Sequence, residues 1–188
     1  MKKILSFMAI ALSFSAQSVS ASTIGFTDTL SADGTTVSVV IQGSGFSTGL
    51  GGAALDLTWD SAILSLSATN VSESAIYDHT LTNVGSIGPG FETGLATATF
   101  GTAASTINQP FDIFNLVFDV VSQGTSAFNI AINSNGLNDA GTLNLIDLNA
   151  NPVTLNSGTI SAVPLPPALL LFGSSLLGLL GVNGRRKV

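Results

Sequence analysis

The chain of 188 residues contains no cysteine, so no disulfide framework can hold it together. Its stability must come from a buried core, and the roughly 140 residues between its two terminal segments are enough for one domain. With no cysteine and a single histidine, His79, it also has almost none of the ligands that transition metals prefer. These absences exclude a disulfide-stapled scaffold and argue against a zinc, copper or iron protein.

Basic residues are missing from the body of the chain. The segment that holds all eleven acidic residues, Asp28 to Asp147, has no Lys or Arg and a formal charge of −11. It cannot neutralise phosphates, so we expect no nucleic-acid binding and no attraction to an anionic membrane surface. This negative charge favours solubility, and binding of Ca²⁺ is the more specific alternative. The five basic residues all lie near the termini: Lys2, Lys3, Arg185, Arg186 and Lys187.

Residues suited to catalysis are few. His79 follows Asp78 directly, and no serine of the body lies in a G-x-S-x-G motif. Glu73 and Glu92 are the only glutamates. A glycosidase could use two such carboxylates, but we expect both to be ordinary surface acids. We therefore expect no enzyme. A cryptic hydrolase that uses Glu73, Glu92 or His79 is the last alternative.

The first 21 residues have the three regions of a secretory signal peptide. Lys2 and Lys3 precede an apolar stretch from Ile4 to Phe14, and small residues at Val19 and Ala21 fit a cleavage site. We predict cleavage between Ala21 and Ser22, and export of the chain.

The C-terminal residues form a tail with three parts. Prolines precede an apolar run of 15 residues from Ala168 to Val182, and a basic cluster follows. The run is about 22 Å long as a helix, shorter than the hydrocarbon core of about 30 Å. We expect a short transmembrane helix that anchors the chain transiently, with the basic end in the cytoplasm. An ordinary permanent anchor is the alternative.

This tail resembles the PEP-CTERM sorting signal in its VPLPA-type variant. Leu165 stands where that family has a central glutamate, and Pro167 where the variant has alanine. The resemblance implies cleavage by an exosortase-type enzyme of the inner membrane and release to the cell surface or the exopolysaccharide matrix. The residues that carry it are Val163, Pro164, Leu165, Pro166 and Pro167, followed by the basic cluster Arg185, Arg186 and Lys187.

The body, residues 22–162, has the period of β-strands. Apolar residues alternate with polar or smaller ones in short runs, and stretches rich in Gly and Asn separate these runs. This pattern predicts an all-β antiparallel sandwich. The runs are Val37/Val39/Ile41, Ala53/Leu55/Leu57/Trp59, Leu64/Leu66/Ala68, Ala96/Ala98/Phe100, Phe114/Leu116/Phe118/Val120 and Phe128/Ile130/Ile132; the predicted turns are 43–45, 85–90, 123–124 and 133–136.

The body also resembles cohesin-type domains. Gly51 to Leu64, with Trp59-Asp60 at a strand end, looks like their early region, and 114–128 looks like a later strand pair. Ser157 to Ile160 fits their closing strand. The resemblance implies a jelly-roll sandwich of about nine strands, related to some carbohydrate-binding modules.

Two small sites remain as candidates. Asn133, Asn135 and Asp139 surround a glycine with the oxygen ligands that Ca²⁺ prefers, although a plain turn is the favoured interpretation. Trp59 and Tyr77, the only Trp and Tyr, are the candidates for stacking on a sugar. Trp59 shares its strand face with Leu57, so we expect it in the core. No cofactor other than Ca²⁺ is expected.

The sequence thus predicts an exported, surface-sorted and non-catalytic protein of the bacterial envelope or biofilm matrix. Its sandwich would bind exopolysaccharide or a surface protein. A carbohydrate-binding module proper is the alternative.

Overall fold

The computed structural model describes residues 21–77, 81–99, 106–140, 142 and 144–163, and these residues form two packed β-sheets. No α-helix occurs within these ranges. The predicted all-β sandwich is confirmed, with ten strands. They are β1 (Ser22–Leu30), β2 (Thr36–Ser44), β3 (Leu50–Thr58), β4 (Leu64–Glu73), β5 (Ser86–Gly88), β6 (Phe91–Ala98), β7 (Phe111–Val120), β8 (Thr125–Asp139), β9 (Val153–Leu155) and β10 (Gly158–Ser161).

Each sheet has five strands. The order in the first is β4-β7-β2-β1-β9, and in the second it is β10-β8-β3-β6-β5. All neighbouring strands are antiparallel except β1 and β9, which are parallel. β3 is the centre of the second sheet, so its side chains lie between those of β6 and β8.

The core lies between the two inner faces and follows the alternation read from the sequence. Val37, Val39 and Ile41 of β2 are fully buried, and so are Leu55 and Leu57 of β3. Aromatic rings join the two sheets at one end: the ring centroid of Phe118 lies 5.1 Å from that of Trp59 and 5.9 Å from that of Phe128, both edge-on. Such pairs add to the free energy gained by burying their area.

Four details of the predicted pattern are wrong, and each lies at or near a β-bulge or a short strand. Leu95 and Thr97 are the buried residues of β6, whereas Ala96 and Ala98 are only half-buried. Ala68 is exposed because the register of β4 shifts after Leu66. The predicted turn at 85–90 contains β5, and the one at 133–136 is an irregular segment within β8.

The segments with the terminal sorting features lie outside the described residues. This holds for the signal peptide up to residue 20, for Pro164 to Pro167 and for the basic cluster Arg185, Arg186 and Lys187; His79 and Phe100 lie outside as well. Among the described residues, no helix is long and apolar enough to cross a membrane.

Candidate functional site

The outer side of the second sheet is a broad surface of short side chains. We call it the docking face and define it by the outward residues of four strands. Exposed members lie in register across the strands: Asn129 opposite Thr58, Thr58 opposite Phe91, and Thr93 opposite Ser86. The full set is Asn129 and Ala131 on β8, Asp56 and Thr58 on β3, Phe91 and Thr93 on β6, and Ser86 and Gly88 on β5.

Phe91 is the one large apolar side chain of the docking face, with 40% of its surface exposed. Its ring lies against Gly88 of the edge strand, where a Cβ atom would collide with the ring. The glycine therefore lets the aromatic ring lie across β5. Because its neighbours on the face are short, this ring is available to an approaching partner.

Asp56 is the only acidic residue of the docking face, and it is half-buried. Its Oδ1 accepts a hydrogen bond of 2.6 Å from the side-chain amide of Asn133 and one of 2.8 Å from the backbone N–H of Gly94. Gly94 has a positive φ of 80° and is the extra residue of a bulge in β6. One carboxylate thus joins β3 to irregular segments of both neighbouring strands.

Glu92 lies between Phe91 and Thr93, but its side chain is fully buried. Both of its carboxylate oxygens lack a hydrogen-bond partner among the described residues. Burial, and secondarily the negative charge of Asp56, raises the pKa of Glu92 to about 8. The expectation that Glu92 is a surface acid is therefore wrong.

The bulge at Gly94 explains the burial of Glu92. Leu95 faces the core, and a regular strand would turn Glu92, three positions earlier, to the opposite face. The extra residue restores the inward direction, so that Glu92 is opposite the core residue Leu57. A glycine inside a strand pattern is a known sign of a bulge, so the sequence does contain a signal for this position.

The two glutamates proposed for a cryptic hydrolase lie in different sheets. Glu73 ends β4 in the first sheet, where it pairs with Phe114, whereas Glu92 belongs to the second sheet. His79 lies outside the described residues. Because Glu92 is fully buried, its carboxylate cannot reach a substrate as one of the two acids that this alternative requires.

Trp59 and Tyr77, the candidates for sugar stacking, are core residues. Only 7% of Trp59 and 6% of Tyr77 are exposed. The indole Nε1–H of Trp59 donates to the carbonyl oxygen of Leu64 at 3.0 Å. The hydroxyl of Tyr77 donates to the carbonyl oxygen of Leu50 at 3.3 Å. Burial also raises the pKa of Tyr77 well above its usual range. Neither ring can stack on a sugar, so that interpretation is wrong for both residues.

The residues of the candidate calcium loop bond to different neighbours. Asn133 donates to Asp56, and its own side-chain oxygen accepts from the backbone N–H of Asn135 at 3.2 Å. Asp139 accepts from the backbone N–H of Thr142 at 2.8 Å. The described residues contain no group of three acidic, His or Cys side chains placed to hold a metal ion. A calcium site at these three residues stays a prediction.

The ends of the sandwich are secured close to the predicted cleavage points. Ala21 is exposed, and Ser22 begins β1 and donates from its hydroxyl to the carbonyl of Gly45 at 3.1 Å. At the other end, buried Ala162 donates its N–H to the carbonyl of Gly124 at 2.8 Å, and Val163 is half-exposed.

Comparison with known proteins shows a likeness in fold alone. No family model matches the sequence, and no curated protein matches it. A non-cellulosomal cohesin from the archaeon Archaeoglobus fulgidus is 16% identical, with a TM-score of 0.54, and the match covers 76% of this chain and 91% of that one. A type I cohesin from Pseudobacteroides cellulosolvens is 14% identical, with a TM-score of 0.56, over 75% of this chain and 91% of that one.

A cohesin solved in complex with a dockerin, from Clostridium thermocellum, is 13% identical, with a TM-score of 0.57, over 76% of this chain and 99% of that one. These matches confirm that the sandwich has a cohesin-like fold, as the resemblance of Gly51 to Leu64 implied.

Proposed function

We propose that this chain is an exported, non-catalytic binding protein whose sandwich binds a protein partner on the docking face. The observation that carries the proposal is the exposed ring of Phe91 beside short, mostly uncharged side chains. Aromatic residues surrounded by small polar ones are typical of the residues that dominate interface energies. Asp56 gives the face a single negative charge and with it a preference for a partner that offers a hydrogen-bond donor.

Two further observations support a protein as the ligand. Solved cohesins of the same fold are bound to dockerins, which are protein partners. In addition, burial of Trp59 and Tyr77 removes the two aromatic side chains best suited to a sugar platform. Exopolysaccharide is the alternative ligand, and Phe91 would then be its stacking residue.

The proposal includes processing at both ends of the chain. Signal cleavage after Ala21 would leave β1 intact, because that strand begins at Ser22. Cleavage of the tail by an exosortase-type enzyme between Val163 and Pro167 would leave β10 intact, because it ends at Ser161. The released sandwich would then act at the cell surface or in the extracellular matrix.

Site-specific photocrosslinking tests the docking face. A benzophenone amino acid replaces Phe91 in one variant and Val121, which is 59% exposed beyond the end of β7, in a control. We expect one protein to be crosslinked from position 91 and not from position 121 in intact cells. The purified partner should then bind Phe91→Ser at least about tenfold more weakly than Val121→Ser. Equal crosslinking from both positions, or crosslinks to polysaccharide alone, would contradict a protein-binding role.

A further inference from the structure

A short segment at the edge of the second sheet covers Glu92. This segment, residues 85–90, contains β5, and we call it the flap. Among the described strands it pairs only with β6, where Ile87 lies opposite Glu92. Both ends of the flap are glycines with positive φ, 69° at Gly85 and 82° at Gly90, so the chain can bend at either end without strain. An edge segment that is held by one strand opens at a lower cost than the core strands do.

The chain on either side of the flap is fixed to the sandwich. Asn83 and Ala96 exchange two backbone hydrogen bonds of 2.8 Å. On the other side, the carbonyl oxygen of Gly90 accepts the N–H of Trp59 at 2.9 Å. The flap can therefore move away from β6 while the strands around it keep their pairing.

The side chain of Glu92 lies beneath the closed flap with nothing to neutralise a charge. A Cβ atom on Gly85 would lie 2.9 Å from Oε1 of Glu92, so the flap packs directly against the carboxyl group. Both carboxyl oxygens are buried and lack a hydrogen-bond partner, and the described residues include no Lys or Arg. Because an unpaired buried charge is costly, the closed flap fits Glu92 only as the neutral acid.

We propose that Glu92 is a pH switch for the flap: the neutral acid lets the flap close, and loss of its proton to solvent opens the flap. Opening hydrates the carboxylate and removes Ser86 and Gly88 from the docking face. The ring of Phe91 then loses the glycine on which it lies. The partner of the docking face should therefore bind the protonated form more tightly, a consequence that rests on the proposed function.

The difference in proton affinity between the two forms gives the direction of the switch. Under the closed flap the pKa of Glu92 is about 8, against an ordinary value of 4.5. Ionisation therefore favours the open form by a factor on the order of a thousand. The effect begins above pH 4.5, grows as the pH rises and levels off above 8, so closure is lost towards alkaline pH.

The titratable groups on the neighbouring elements do not provide a second switch beneath the flap. β3 contributes Asp56, whose side chain lies on the docking face, and the turn after β3 contributes Asp60, which is exposed and accepts the N–H of Ala62. β4, which contacts β5 from the first sheet, has Glu73 at its last position. Burial raises the pKa of Tyr77, so its hydroxyl stays neutral in the same range. The flap itself and residues 81–84 contain no titratable side chain.

Hydrogen–deuterium exchange of the purified protein at pH 6 and pH 9 tests the opening without any partner. After correction for the faster intrinsic exchange, protection of the flap should fall at least about tenfold between the two pH values. Protection of β2, which reports global unfolding, should exceed that of the flap at both. The fall should be absent in Glu92→Gln and unchanged in the control Glu73→Gln. Glu92→Met, which also lacks the charge, replaces Glu92→Gln if circular dichroism shows that variant to be unfolded.

The switch is overturned if the flap of the natural chain keeps its protection at pH 9, or if a folded variant without the carboxyl group shows the same fall. It is also overturned if the flap and β2 are equally protected, because the flap would then open only on global unfolding.

Photocrosslinking from position 91 in cells at pH 6 and pH 9 tests the effect on docking. We expect a lower yield at pH 9 in the natural background and equal yields in the Glu92→Gln background. Equal yields in the natural background would overturn the control of docking by Glu92. If no protein is crosslinked at either pH while exchange detects the opening, the proposed docking fails and the switch of the flap stands.

Discussion

Asn133 and Asp56 lie 77 positions apart in sequence, and the side-chain amide of the first donates a 2.6 Å hydrogen bond to the carboxylate of the second. The same oxygen of Asp56 accepts the N–H of Gly94. The irregular segment of β8 and the bulge of β6 are therefore both held by one side chain of the central strand. Because these irregularities shape the docking face and bury Glu92, Asp56 supports both features.

The first prediction concerns the stability that this carboxylate provides. Replacing Asp56 with Ala removes two charge-assisted hydrogen bonds, and we expect a loss of about 2 kcal/mol in the free energy of unfolding. Asn129→Ala is the control, because its side chain makes an exposed bond to Thr58 on the same face; it should cost less than about 0.5 kcal/mol. Urea denaturation in a chelator measures both. Equal losses would contradict the role given to Asp56.

The second prediction concerns Trp59. Trp59→Phe removes the donor to the carbonyl of Leu64 and should cost about 1–2 kcal/mol, whereas Trp59→Ala also opens a cavity beside Phe118 and should cost about 3–5 kcal/mol. Denaturant unfolding measures the losses. Because the ring is buried, glycan-array retention of the folded Trp59→Phe variant should equal that of the natural chain, and selective loss of retention would contradict the core assignment.

The alternation within the long strands is enough to predict the sandwich. Strands such as β2 and β7 repeat large apolar residues at every second position, and Leu116 and Phe118 of β7 are fully buried as that spacing indicates. Glu92 could not be placed the same way, because its direction depends on a single extra residue at Gly94. The bonds of Asp56 join residues far apart in sequence, and a pattern within one strand contains no information on them.

The third prediction is a pH dependence that comes from Glu92. Its pKa is about 8 in the folded chain, against an ordinary value of 4.5, so the native state binds the proton more tightly than the unfolded state. In a chelator, the contribution of Glu92 to the free energy of unfolding should therefore be largest below pH 4.5. This contribution should fall as the pH rises towards 8. Urea denaturation of Glu92→Gln over the same range should lack this fall.

The strands beside β6 bring few other titratable groups close to Glu92. Among the strands that pair with β6, β5 has no titratable residue and β3 has only Asp56. β8, beyond β3, has only Asp139, at the far end beside Leu50. The side-chain hydrogen bond from Ser31 lowers the pKa of Asp33 to about 2, so that group titrates below the window. An unchanged slope in Glu92→Gln would show that another residue controls the pH dependence.

The fourth prediction concerns processing, and intact-mass spectrometry of the protein from the native cell surface and medium measures it. We expect a chain that begins at Ser22 and ends between Val163 and Pro167. The hydroxyl of Ser22 holds the start of β1, and the N–H of Ala162 holds the segment after β10. Both predicted cleavage points lie just outside these two hydrogen bonds, so cleavage removes no strand. A variant with Pro164 and Pro166 replaced by Ala should keep its tail and stay in the membrane fraction. A natural chain that still ends at Val188 would contradict cleavage and indicate a permanent anchor.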